Sequence, residues 1–140
     1  MTQARRHTFS ARTVAVLFAL VAASGCSLAT DVNAPGLIAP FSGDHQTQVA
    51  NTALPLPLQV LVASQFGERL MNQTVTWTIT SGGGTLTVTG GGSSTTTITS
   101  ITNDSGIAEI NYTTGPTAGT ATIQAKVGGV PSINFTVTIT

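Results

Sequence analysis

Apolar and polar residues alternate along most of the chain, in short runs separated by turn-forming residues. Such alternation predicts half-buried β-strands, because successive side chains of a strand point to opposite faces of a sheet. About seven such runs follow one another after Ser42, which is the pattern of a β-sandwich. The alternating apolar positions are Leu56, Leu58, Val60 and Val62; Val75, Trp77 and Ile79; Leu86 and Val88; Ala108, Ile110 and Tyr112; Ala121, Ile123, Ala125 and Val127; and Ile133, Phe135, Val137 and Ile139.

The residues opposite these apolar positions are mostly threonine, and helical spacing of apolar residues is absent after the N-terminal segment. Threonine, valine and isoleucine are β-branched and fit a pleated surface. Only 7% of the residues are charged and 41% are hydrophobic, unlike a disordered chain. We therefore expect an all-β fold, an immunoglobulin-like sandwich of about seven antiparallel strands. One cysteine excludes a disulfide within the chain, and Trp77 is in phase with the core positions.

Two features interrupt the alternation. Ile98 and Ile101 are three residues apart, so both cannot face inward on a regular strand, and we expect a bulge or break there. The stretch SGGGTLTVTGGGSS, residues 81–94, places glycine triplets on both sides of an alternating segment. A phosphate-binding loop needs a helix start after its glycines, usually with a lysine, and neither follows here. The glycines are therefore predicted to be turns around a short strand.

The N-terminal segment has the three parts of a secretory signal peptide. Arg5, Arg6 and Arg12 make it positive, an apolar run extends from Thr13 to Ala23, and small residues follow. The apolar run is shorter than the roughly 20 residues that span a bilayer. We predict a signal peptide over residues 1–25, with a retained N-terminal membrane anchor as the alternative.

Ala23-Ser24-Gly25-Cys26 resembles the lipobox of bacterial lipoproteins, although that family favours leucine where Ala23 stands. The resemblance implies cleavage before Cys26, lipidation of its thiol and anchoring of the chain in a membrane. A residue other than aspartate after the cysteine, here Ser27, is compatible in that family with the outer membrane. We predict a secreted, lipid-anchored protein at the outer membrane or cell surface, with a lipidated tether over residues 26–41 and one domain over residues 42–140.

Five sequence blocks in the predicted domain resemble the bacterial immunoglobulin-like domain of the invasin and intimin type. The blocks are Gly43 with Gln46, Ala53-Leu54-Pro55, Ser81 to Gly84, Asp104 to Ala108, and Gly115 to Gly119. Their order and spacing match over essentially the whole domain, but Gly67-Glu68-Arg69-Leu70 departs from the Gly-x-Pro-Val turn of the family. The resemblance implies a structural or adhesive role at a bacterial surface.

The charge of the chain argues against binding to nucleic acid. From Cys26 onward, two cations stand against five acids, a net charge of −3. The two cations, Arg69 and Lys126, do not form the basic patch that a phosphate backbone or an anionic lipid surface requires.

Reactive side chains are few, and we predict no catalysis, no metal and no cofactor. His45 is the only histidine after the signal peptide, and Asp104 lies in an Asn-Asp-Ser-Gly turn where an aspartate bonding its own backbone is expected rather than calcium binding. Phe66 is the weak candidate for ligand binding, its alternative being a loop residue folded back on the sandwich. The sequence favours a structural or adhesion module; the alternative is a module that binds glycan or protein through loops near Phe66 or residues 90–97.

Overall fold

The computed structural model describes residues 32–92 and 94–140, and this part of the chain is all-β. Its nine strands are β1 Pro35–Ser42, β2 Thr47–Gln48, β3 Leu58–Ser64, β4 Thr74–Ser81, β5 Thr85–Thr87, β6 Thr97–Ile101, β7 Ile107–Thr113, β8 Gly119–Val127 and β9 Ile133–Ile139. The predicted fold class is confirmed, with nine strands because two at the start of the domain, β1 and β2, had not been expected. Among the described residues, no helix has the length and apolarity of a membrane span. The predicted signal peptide, Cys26 and Ser27 lie outside them.

The strands form two sheets. One has four strands in the order β1-β3-β7-β5, and the other has five in the order β2-β9-β8-β4-β6. All neighbours are antiparallel except β2 and β9, which run parallel. Strands β1 and β5 are thus the edges of the first sheet, and β2 and β6 are the edges of the second.

The core lies between the sheets and consists of the alternating positions. Trp77, Tyr112 and Phe135 are fully buried, and the rings of Trp77 and Phe135 lie 5.7 Å apart. Burial of each large apolar side chain contributes roughly 1.5–3 kcal/mol, so the sandwich holds without a disulfide. Within the described part of the chain, every buried side-chain nitrogen or oxygen has a hydrogen-bond partner. The inward faces therefore follow the sequence pattern closely.

The first strand corrects the predicted start of the domain. Residues 35–41 were assigned to the tether, but they belong to β1, which pairs with β3 through Ile38 and Val62. Ile38 is buried at 4% exposure. Two prolines and two register shifts disguise this strand, because proline is tolerated only at a strand's edge or start and bulges break the alternation. Pairing with β3 and the burial of Ile38 place this strand in the sandwich.

Three smaller predictions were wrong. Strand β6 pairs with β4 without any bulge, since it is an edge strand on which Ile98 packs inward while Ile101 is 63% exposed. Leu56 precedes β3 and is exposed, because the side chain of Gln46 holds its backbone in a loop. In the turn after β6, the Asn103 side chain, not Asp104, accepts bonds from the amides of Ser105 and Ile107.

Candidate functional site

The predicted ligand candidate Phe66 lies in the turn after β3 and is 63% exposed, so it does not fold back on the sandwich. The Oγ atom of Ser64 accepts bonds from the amides of Phe66 and Glu68 at 3.2 and 3.3 Å, which fixes the turn beneath the ring. Phe41 on β1 is a second exposed aromatic residue, at 50%, which the sequence did not single out because its segment has no clear alternation. Neither ring lines a described cavity.

A groove opens instead along the side of the sandwich, where the edge of each sheet is uncovered. Strand β5 pairs with β7 only from Asn111 to Thr113, so within the described residues the first part of β7 has no strand neighbour on that side. The Asn103 amide bonds the Ile107 carbonyl there, and β6 of the other sheet lies nearby. The resulting β6–β7 groove has a volume of about 430 Å³. It is lined by Val88, Thr89, Thr99, Ser100, Ile101, Asn103, Ile107 and Glu109.

Glu109 is the charged group of this groove. It lies directly across from Gln59 in the β3–β7 register, and Gln59 Nε2 donates to Glu109 Oε2 at 2.8 Å. This hydrogen bond, with a second from Thr89, lowers the pKa of Glu109 below its usual 4.5. The carboxylate is therefore ionised at neutral pH. A carboxylate offers about four acceptor positions, so two donors leave room for a further one.

The floor of the groove reaches the core through Ser100. The indole Nε1 of the buried Trp77 donates to Ser100 Oγ at 2.9 Å. This bond satisfies the only polar atom of the Trp77 side chain, which would otherwise be left unpaired at a cost of about 1–3 kcal/mol. The chain's one tryptophan is thus bonded to a residue that lines the groove.

The groove is lined by polar and apolar side chains. Of its described lining residues, only Glu109 is titratable. His45 lies at the far edge of the other sheet, where its amide bonds Thr136 of β9 and its ring lies 3.4 Å from Asp44. No group of three His, Cys, Asp or Glu side chains that could hold a metal was found in residues 32–92 and 94–140. Hydroxyl, amide, carboxylate and apolar groups remain to contact a ligand.

A second hollow, of about 530 Å³, lies at one end of the sandwich and is built by two of the five resemblance blocks. It is lined by Gly82, Gly83 and residues 116–120. Beneath it, the Tyr112 hydroxyl donates to the Gly83 carbonyl at 2.7 Å and joins the loop after β4 to the end of β7. The residues that line this hollow carry no charged side chain.

Solved structures share this fold, whereas no protein-family model and no curated protein matches the chain. Domains 4 and 5 of the S-layer protein SbsC match with a TM-score of 0.53 at 16% identity, over 76% of this chain and 52% of that one. A glycosyl hydrolase family 2 member from Bacteroides cellulosilyticus matches with a TM-score of 0.56 at 18% identity, over 78% and 15%. The D0-D1 domain of intimin is 26% identical over 72% of this chain and 47% of that one, with a TM-score of 0.46.

The likenesses to SbsC and to the hydrolase establish the immunoglobulin-like sandwich and nothing beyond the fold. The chain spans about half of the SbsC fragment and a small part of the hydrolase. Membership of the invasin and intimin type of domain stays a prediction from the five blocks. The absence of catalysis, metal and cofactor stays a prediction as well.

Proposed function

We propose that the protein is a lipid-anchored, non-catalytic domain of the bacterial cell surface or periplasm with a structural or adhesion role. The observation that carries this proposal is an immunoglobulin-like sandwich that follows, after a few residues, a lipobox-like Cys26. SbsC, whose domains share the fold, is a surface-layer protein, and intimin gives its name to the sequence type that the five blocks resemble. Residues 27–34 reach at most about 29 Å when extended, so the domain would lie close to the membrane.

Anchoring is tested by metabolic labelling with palmitate in the native bacterium. We expect label in the wild-type chain and none in Cys26→Ala, because the cysteine thiol is the attachment point. The wild-type chain should also fractionate with membranes, while the variant is released or retained as an unprocessed precursor. An unlabelled wild-type chain would refute the anchor and leave the fold unaffected.

The structural or adhesion role is tested by deletion and complementation. We expect loss of the gene to weaken either envelope integrity, measured by detergent sensitivity, or attachment to surfaces. The wild-type chain should restore the affected property better than Cys26→Ala does. Protease added to intact cells separates the two locations, since it cleaves a surface domain and spares a periplasmic one. A deletion that alters neither property would contradict the proposed role.

The second candidate function is ligand binding, and the β6–β7 groove favours it. The groove combines an ionised carboxylate with hydroxyl and apolar groups, and it adjoins the glycine-rich segment that the sequence had offered as one ligand loop. Phe66, the other predicted contact, is exposed but lies in no cavity. Titration of the chain with soluble glycans and with peptides separates this function from a purely structural role.

A further inference from the structure

Strand β6 presents an open edge of backbone donors and acceptors. The Ile79 amide donates to the Thr96 carbonyl at 2.9 Å, which sets the hydrogen-bonding register between β4 and β6. In this register Ile98 and Ser100 direct their backbone groups toward β4, so those of Thr99 and Ile101 point away from it. Both residues line the groove and are exposed. An exposed edge of this kind is a template for another strand.

Strand β7 contributes a second open position to the same groove. The Tyr112 carbonyl accepts from the Leu54 amide on the β3 side of the sheet, so the backbone groups of Asn111 and Glu109 face the opposite side. Thr87 of β5 covers Asn111, and β5 ends there. Glu109 therefore directs its backbone toward the space beside β6, and its carboxylate, which bonds Gln59 of β3 and Thr89, lines the same groove.

We propose that the β6–β7 groove binds an extended peptide segment that pairs with the open edge of β6 and places a lysine or arginine against Glu109. Pairing satisfies the backbone of Thr99 and Ile101, and alternate apolar side chains of the peptide contact Val88 and Ile107. The charge of the groove selects the cation, because its described lining holds one carboxylate and no basic side chain.

Two other occupants fit the groove less well. A second copy of β6, whose sequence is TITSI, would bring no cation to Glu109. Glycans commonly stack on exposed aromatic rings, and none of the described lining residues is aromatic. An extended basic peptide matches both the open strand edge and the carboxylate. The inference deepens the adhesion role of the proposed function by naming the partner's chemistry, and it does not depend on lipidation.

The fluorescence of Trp77 is the readout of occupancy, since Trp77 is the chain's one tryptophan and is bonded to Ser100, which lines the groove. The full chain carrying Cys26→Ala, in mild detergent, is titrated with a capped seven-residue Thr/Val peptide that has a central lysine. Matched peptides carry glutamate at the centre, or lysine with N-methylated alternate amides. We expect a saturable change in Trp77 fluorescence with the lysine peptide at concentrations up to about 1 mM. The glutamate peptide should bind about tenfold more weakly, and the N-methylated peptide should not bind.

Two variants assign the contacts. Glu109→Gln should weaken binding of the lysine peptide about tenfold, so that it no longer binds more tightly than the glutamate peptide. The matched control Glu68→Gln, in the turn of Phe66, should leave the affinity for both peptides unchanged. Thr99→Pro removes an amide that points away from β4 and should abolish binding with the fold intact by circular dichroism. If this variant unfolds, the N-methylated peptide still tests pairing.

The proposal is overturned if no peptide gives a saturable change, if the lysine and glutamate peptides bind equally, or if N-methylation has no effect. A response to a soluble glycan without a response to peptide also overturns it. Because Cys26 is already replaced in this experiment, failure of the inference is distinguishable from failure of the anchor, which palmitate labelling reports separately.

Discussion

Alanine at Gly84 should destabilise the domain far more than alanine at Gly83, although the two glycines are adjacent and both have positive φ. Gly83 has φ of 66°, and a Cβ there would contact only Gly115 at 3.9 Å. Gly84 has φ of 94°, and a Cβ there would lie 2.2 Å from the Thr113 carbonyl oxygen and 2.9 Å from the Tyr112 hydroxyl. Only the second substitution forces the backbone to move.

The magnitudes follow from these contacts. At Gly83, the left-handed conformation costs alanine about 1–2 kcal/mol, partly offset by about 0.4–1 kcal/mol because alanine restricts the unfolded chain. We expect a net loss of about 1 kcal/mol. At Gly84, overpacking adds about 1–3 kcal/mol, and displacing the Tyr112 hydroxyl from the Gly83 carbonyl adds about 1 kcal/mol. The expected loss there is about 3–5 kcal/mol.

Urea unfolding followed by Trp77 fluorescence measures both variants. With a slope of about 1.5–2 kcal/mol per molar, a difference of at least 2 kcal/mol separates their midpoints by about 1 M. Gly83→Ala is the matched control, since it shares the side chain, the loop and the sign of φ. Midpoints within about 0.3 M of each other would show that the loop absorbs the Cβ and would refute the reasoning.

Three further predictions concern single side chains. Thr114→Val should lower the free energy of unfolding in urea by about 1–3 kcal/mol. The buried Thr114 Oγ1 accepts from the Thr52 amide at 3.0 Å and lies 2.7 Å from the Val49 carbonyl, and valine can make neither bond. Wild-type stability in the variant would contradict this role. Burial raises the pKa of Tyr112 above 10.0, so the stability contributed by the neutral phenol is complete below pH 10 and is lost as pH rises further. The free energy of unfolding of Tyr112→Phe should therefore fall less above pH 10 than that of the wild-type chain. Equal falls in the two proteins would contradict the assignment. In thermal unfolding, Asn103→Ala should lower the free energy of unfolding by about 1–2 kcal/mol and Asp104→Ala by less than about 0.5 kcal/mol, because only the Asn103 side chain bonds the turn amides. A larger loss for Asp104→Ala than for Asn103→Ala would contradict this prediction.

The side-chain alternation predicted the faces of the strands, because burial on one face has a period of two that is written in the sequence. Trp77, Tyr112 and Phe135 were assigned to the core on this ground, and all three are fully buried. The same pattern could not predict the strand order or the sheet edges. Both depend on pairing between distant segments, as when β1 joins β3 through Ile38. The sequence pattern therefore did not reveal β1, which contains two prolines and two register shifts, or β2, which has only two residues.

The sequence predicted a ligand loop beside the candidate site but not the β6–β7 groove itself. Glu109 alternates with core residues on β7 and has the appearance of an ordinary solvent-facing acid in the sequence. The proposed role of Glu109 in peptide binding depends on the backbone that is left open at this position of β7. That opening depends on where β5 ends. The segment 90–97 had been offered as a ligand loop, and the β6–β7 groove lies next to it at Val88 and Thr89. Phe66, chosen for its exposure, is exposed but isolated.

The second glycine triplet explains why the groove exists. Gly90, Gly91 and Gly92 have φ of 98°, 108° and 152°, conformations that a continuing strand of L-residues rarely adopts. The chain therefore leaves β7 soon after Thr87 and turns back, so that Thr95 pairs with Leu86 of β5. It then crosses to the other sheet, where it becomes the edge strand β6. Had β5 continued from Thr87 to Thr89 in the same register, Thr89 would have paired with the backbone of Glu109 and closed the first sheet at that point. The triplet lies outside the five resemblance blocks, so this side of the groove comes from the chain's own sequence, whereas Ile107 on the other side belongs to the block Asp104 to Ala108.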